Sequence, residues 1–231
     1  MLTNADNELM CRVGPGTPMG EVLREYWLPV FCPSELEADG PPLRTRLLGE
    51  DLVAFKDSEG RIACIQNACP HRGASLFFGR NEEAGLRCVY HGWKFDAGGQ
   101  CVDMPSEPAE SNFKSKIKAT AYPARERGGM VWVYMGRQDP PPPLPDFEWC
   151  LVPEDQRRIQ WKAVRECNWA QALEGDLDSS HIGFLHARLD RASVMEMAGL
   201  RTDNAPILDV GETPIGVMYG ARRSLRPDSY Y

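Results

Sequence analysis

The sequence predicts an α+β protein: an all-β N-terminal domain, then the start of an α+β domain that is incomplete within 231 residues. Three observations predict it. Short alternating segments separated by turn residues run from 43 to 66 and resume between 116 and 135. Four prolines at 140–143 cannot continue a hydrogen-bonded ladder and favour an extended spacer. Beyond them the apolar period becomes helical after Asn168, and residues 206–211 and 215–222 then read as a hairpin. The expected division is an N-terminal arm with a short helix (1–39), a β domain (40–139), a proline-rich linker (140–158) and the first part of a second domain (159–231).

Residues 1–18 are polar and end in the loop Gly14-Pro15-Gly16-Thr17-Pro18. A short helix is expected over 19–27, because Val22, Leu23, Tyr26 and Trp27 share one face and Pro29 stops it. Strands follow at 43–48, 52–56 and 61–66, split by Gly49-Glu50-Asp51 and Asp57-Ser58-Glu59-Gly60. Residues 95–102 form a hairpin around Gly98-Gly99. Strands at 116–122 and 130–135 complete a small β-sandwich, the last fully apolar and therefore buried. Asn168 is the N-cap of the second-domain helix, with Gln171 three residues on as in a capping box.

Two arms carry the chemistry of the first domain. Cys69-Pro70-His71-Arg72-Gly73-Ala74 and Cys88-Val89-Tyr90-His91-Gly92-Trp93 each hold one Cys and one His, with residues 72–87 between His71 and Cys88. Two thiolates on one iron and two imidazoles on the other are the ligands of a Rieske [2Fe–2S] centre. Cys2His2 is also a zinc set, but zinc fingers usually pair Cys with Cys and His with His. A zinc-stabilised binding module is therefore a rival reading.

At these residues the sequence resembles the Rieske proteins, and within them the oxygenases. Respiratory Rieske proteins carry an extra Cys in each arm, which form a disulfide; here those neighbourhoods read Arg72-Gly73-Ala74 and Val89-Tyr90. The run His91-Gly92-Trp93-Lys94-Phe95-Asp96 is similar to the oxygenase form, and the stretch 20–30, with Glu174-Gly175 and Ser179-Ser180, resembles the phthalate dioxygenase-like group. The absence of a disulfide implies a potential low in the Rieske range.

A second motif lies in Glu174-Gly175-Asp176-Leu177-Asp178-Ser179-Ser180-His181-Ile182-Gly183-Phe184-Leu185-His186. Asp178, His181 and His186 have the spacing D-x-x-H-x-x-x-x-H, and all four histidines of the chain fall in the two motifs. Two His and a carboxylate bind non-haem Fe(II) and leave positions open for O2. Asp178 and His181 share a helix face, but His181 and His186 lie about 140° apart round an ideal helix. A distortion or helix end near Gly183 is therefore expected. In Rieske oxygenases this motif supplies two His ligands of the mononuclear iron, and its Asp bridges to a cluster His in the neighbouring subunit. The resemblance thus implies Asp178 as bridge and His181 and His186 as ligands. The family's third ligand is a carboxylate well over a hundred residues further on, whereas this chain ends 45 residues beyond His186. The sequence is accordingly expected to be a fragment, inactive by itself.

The resemblance also implies function. Electrons come from NADH through a separate reductase or ferredoxin, reach the cluster at Cys69, His71, Cys88 and His91, and cross to Fe(II). O2 then attacks an aromatic, carboxylated substrate, giving a dihydrodiol or an O-demethylated product. A homotrimer is the family's assembly. The rival is a Rieske ferredoxin-like electron carrier with a degenerate second domain, which would need none of Asp178, His181 or His186. The net charge of −7 argues against a nucleic-acid binder. No signal peptide or membrane-length apolar run is visible, so a reducing cytoplasm is expected, with Cys11, Cys32, Cys64, Cys101, Cys150 and Cys167 as free thiols.

Overall fold

The computed structural model describes residues 2–108, 110–159, 162–185, 203, 205–214, 216–226, 229 and 230. These are mostly β with few helices, and fall into two compact units, Met1–Val164 and Arg165–Tyr231.

The first unit opens with helix α1 (Asn4–Cys11), which the expectation of a polar leader missed. Its signal is local: the Thr3 hydroxyl accepts from the Asp6 N–H and donates to the Asp6 carboxylate. Helix α2 (Pro18–Arg24) starts on the Thr17 cap and ends earlier than the expected 27. Trp27 begins a strand instead, β1 (Trp27–Phe31), paired antiparallel with β11 (Met130–Tyr134). The physical reason is tertiary. Trp27 is buried against Tyr134 and its indole donates to the Pro142 carbonyl at 2.8 Å, whereas Val22 and Tyr26, on the supposed apolar face, are more than half exposed. Pro29 is tolerated because β1 is an edge strand.

The meander is β2 (Leu43–Leu47), β3 (Glu50–Lys56) and β4 (Ile62–Gln66). After β4 come β5 (Arg80–Glu82), β6 (Gly85–Arg87), β7 (Lys94–Phe95) and β8 (Cys101–Asp103). Then β9 is only Ala121–Tyr122: a 3-10 turn ends at Lys116 and Lys118 makes just an isolated bridge to Gln100, so the strand is shorter than the expected 116–122. Strand β10 (Ala124–Arg127) pairs with β11.

Three sheets result, ordered β1-β11-β10, β2-β3-β4-β9 and β5-β6-β7-β8. The meander is the middle layer. Val53, Phe55, Ala63 and Ile65 pack with Leu86, Phe95, Cys69 and Cys88 on one side. Alternate residues on the other side, Leu52, Ala54 and Cys64, pack with Val131, Val133 and Phe31. Both faces of β3 are buried, so Leu52-Val53-Ala54-Phe55 reads as an apolar run rather than an alternation. The proline tract covers the outer face of the first sheet. Leu144 and Cys150 join Trp27, Trp132 and Tyr134 in one cluster, and Arg127 donates to the Leu144 carbonyl. The tract expected as a spacer thus forms a packed layer.

In the second unit α3 (Trp169–Leu177) starts where expected: the Asn168 side chain accepts from the N–H groups of Ala170 and Gln171. Strands β12 (Ile207–Thr213) and β13 (Gly216–Arg222) form the expected hairpin.

Candidate cluster and iron sites

The two arms of the first unit fold into equivalent brackets. In one, Cys69 N–H donates to the Ala74 carbonyl and Gly73 N–H to the Cys69 carbonyl, at 2.9 and 2.8 Å. In the other, Cys88 N–H donates to the Trp93 carbonyl and Gly92 N–H to the Cys88 carbonyl, at 2.8 and 3.0 Å. The fifth residue of each is a glycine in the left-handed region, Gly73 (φ +70°) and Gly92 (φ +76°). The brackets differ in where they set the imidazole: His71 is third in its loop, His91 fourth in its own.

This one-residue offset brings the rings together. The His71 and His91 centroids are 4.5 Å apart. Both rings are half-buried, while Cys69 and Cys88 are buried behind them. Burial, with the neighbouring Cys88, pushes the Cys69 thiol up to about 11 against the N–H groups of His71 and Arg72. Burial also lowers His71, helped by the charges of His91 and Arg72, so its imidazole is held neutral as metal binding requires.

Several features fit a dinuclear iron–sulfur group. The donor set separates into two inner thiols and two rim imidazoles, and among the described residues no three His, Cys, Asp or Glu side chains are placed to hold a single ion. Trp93 stacks on His71 at 4.4 Å with 10° between planes, and its buried indole N–H has no partner among the described residues. Such a donor suits an inorganic sulfide. The thiolates would hold one iron and the imidazoles the other.

Each bracket has its own support, and sequence reasoning missed both. The Asn67 side-chain oxygen accepts from the Ser75 hydroxyl and the Phe77 N–H, fixing the exit of the first loop. Arg87 stands directly before Cys88. Its Nη1 donates to the Gly92 carbonyl (2.7 Å) and to Asp103 (2.6 Å), and its Nε donates to Glu82 (2.6 Å).

In the second unit the helix ends at Leu177 and a 3-10 turn occupies Ser180–Gly183, which is the departure from a regular helix expected near Gly183. Asp178 caps α3 and accepts from the Ser180 N–H; its other oxygen lies 3.1 Å from His181 Nδ1. The Ser180 N–H and His181 hold the Asp178 carboxyl below its ordinary range against a smaller effect of burial. Arg223, buried, donates to the carbonyls of Ser179 and Asp203 and backs this turn. His186 lies outside the described residues.

Residues 26–122 match the Rieske [2Fe-2S] domain and residues 133–229 match the LigXa C-terminal domain like family. The chain is 46% identical over 234 residues to the 3-chlorobenzoate-3,4-dioxygenase oxygenase subunit of Comamonas testosteroni, covering 100% of this chain and 54% of that one. It is 48% identical over 233 residues to the phthalate 4,5-dioxygenase oxygenase subunit of Pseudomonas putida, covering 96% and 53%. The chain belongs to the Rieske oxygenases. It spans about half the length of the curated relatives it matches. A solved oxygenase variant in complex with the ferredoxin of carbazole 1,9a-dioxygenase covers 87% of this Rieske oxygenase chain and 53% of its own, with TM-score 0.63 and 27% identity. No helix among the described residues is long and apolar enough to cross a membrane.

Proposed function

We propose that this chain is the electron-receiving and iron-binding part of an oxygenase component that hydroxylates an aromatic carboxylate. The observation that carries the reading is the pair of matched brackets that bring His71 and His91 to 4.5 Å above two buried thiols. Cys69, Cys88, His71 and His91 are the cluster ligands, with Trp93 shielding His71 from water. His181 and His186 are ligands of a mononuclear Fe(II). Asp178 orients His181 through its Nδ1, as a second-shell carboxylate does for a metal-bound imidazole, and provides the bridge to a cluster histidine of a neighbouring subunit. When bound, the cluster supplies single electrons and the iron supplies O2 activation.

The reducing equivalents come from NADH through a separate reductase or ferredoxin, and the working assembly is a homotrimer. The substrate class rests on the two relatives above, whose names are those of a chlorobenzoate and a phthalate dioxygenase; O-demethylation is the other outcome open to such a site. The cytoplasm, which keeps the remaining thiols reduced, is the proposed location.

Iron, zinc and acid-labile sulfide per chain, measured on anaerobically purified protein, test the cluster. About two irons and two sulfides without zinc are expected. Zinc without sulfide refutes the assignment. Turnover of phthalate or 3-chlorobenzoate by a full-length form with its reductase tests the rest. His186→Ala should abolish product while leaving dithionite reduction of the cluster intact; product formation by that variant refutes the iron site.

A further inference from the structure

The two ligand brackets share their internal hydrogen bonds but not their outer support. The residue before Cys69 is Ala68, which bridges to Ser75 and whose carbonyl accepts from the Gln66 amide. The residue before Cys88 is Arg87. Its side chain is only 11% exposed, although a lone arginine ordinarily keeps its head in water.

Burial is compensated along two directions. Glu82 accepts from Nε, and Asp103 and the Gly92 carbonyl share Nη1. Glu82 stands on β5 and Asp103 on β8, the two outer strands of the sheet, so the guanidinium plane is held from both edges. The remaining hydrogen-bond acceptor is the carbonyl next to His91, and the exposed Glu83 carboxylate lies 3.9 Å from Nη2. A planar fork held by two carboxylates fixes the direction of its donors in a way a lysine ammonium does not.

We infer that Arg87 is the positioning residue of the second ligand loop: its fork, oriented by Glu82 and Asp103, fixes the Gly92 carbonyl and through it the setting of His91. This inference rests on the cluster reading above. Outer-shell partners of this kind typically change metal retention by about 10- to 100-fold.

The test reads the reduced chain by electron paramagnetic resonance and follows iron loss to a chelator. Arg87→Lys keeps the cation but loses the fork. Glu82→Gln removes a charge but keeps an acceptor for Nε. Arg87→Lys is expected to shift the g values of the cluster it retains and to lose iron about tenfold faster. Glu82→Gln is expected to keep the wild-type spectrum. A wild-type spectrum and rate in Arg87→Lys overturns the inference, as does an equal shift in Glu82→Gln, which would assign the effect to charge. If Arg87→Lys does not load a cluster, Asp103→Ala, which removes one of the two acceptors on Nη1, is read in the same way, and a wild-type spectrum there overturns the inference. A wild-type chain without a Rieske signal refutes the cluster reading itself, an outcome distinct from a normal wild-type signal that Arg87→Lys leaves unchanged.

Discussion

Replacing each bracket glycine by alanine separates backbone strain from crowding. Gly73 (φ +70°) has nothing within 4 Å of an added Cβ, so Gly73→Ala meets strain alone. An L-residue in the left-handed region costs about 1–2 kcal/mol. Gly92 (φ +76°) carries the same strain, and its Cβ would also lie 2.7 Å from Cγ of Pro105. Pro105 is exposed and can yield, which sets the added term near the low end of overpacking, about 1.5 kcal/mol. Gly73→Ala should therefore cost about 1.5 kcal/mol and Gly92→Ala about 3 kcal/mol. In a chain of this size these correspond to falls in Tm of roughly 3–6 °C and 6–12 °C. Thermal unfolding followed by circular dichroism measures both, with cluster absorbance as a parallel probe. Pro105→Ala in the Gly92→Ala background should recover about 1.5 kcal/mol, because the pair is in contact. Equal losses in the two single variants, or no recovery in the double variant, refute the reasoning.

Three further outcomes are expected. Leu144→Ala should destabilise by about 2 kcal/mol, the low end for a buried leucine at the edge of a core, and denaturant unfolding should show it; a neutral effect would mean that the proline tract is a spacer after all. Asp57 is fully buried and accepts from the N–H groups of Glu59 and Arg61, so Asp57→Ala should cost about 2–4 kcal/mol while Asp57→Asn, which keeps an acceptor, should cost less. Burial raises the Glu35 carboxyl, but Lys162 and the Cys32 N–H outweigh it and hold it below 4.5. Its contribution is then fully present above pH 4.5 and lost as pH falls through the lower folded value, so the stability gap between wild type and Glu35→Gln should shrink as pH falls below 4.5.

Much of this was legible in the chain. The Cys and His spacing marked both brackets, because each ligand and its turn glycine lie within six residues. The Asn168 cap and the hairpin after it were visible for the same reason. What escaped was set by distant partners. Val22, Leu23, Tyr26 and Trp27 show a helical period, yet Trp27 leaves the helix to meet Tyr134 and Pro142. The β5–β6 hairpin turns at Glu83 and Ala84, both at positive φ, and neither residue type signals such a turn. Arg87 looked like any surface arginine, since nothing local announces that Glu82, Asp103 and Gly92 converge on it.

The middle sheet also acts as a ruler for the cluster loop. Residues of β3 and β4 point alternately into two different cores, and β4 runs through Asn67 and Ala68 directly into Cys69. Deleting one residue inside β4 would draw Cys69 back by about 3.3 Å and exchange the two cores' side chains at every later position of the strand. An added residue in the 57–60 turn would leave the register of β4 unchanged, at the cost of the bonds that Asp57 accepts from the Glu59 and Arg61 N–H groups. Length changes in this half of the molecule should therefore be confined, in any natural or engineered variant, to the turns of the meander. Its strands keep count for the metal.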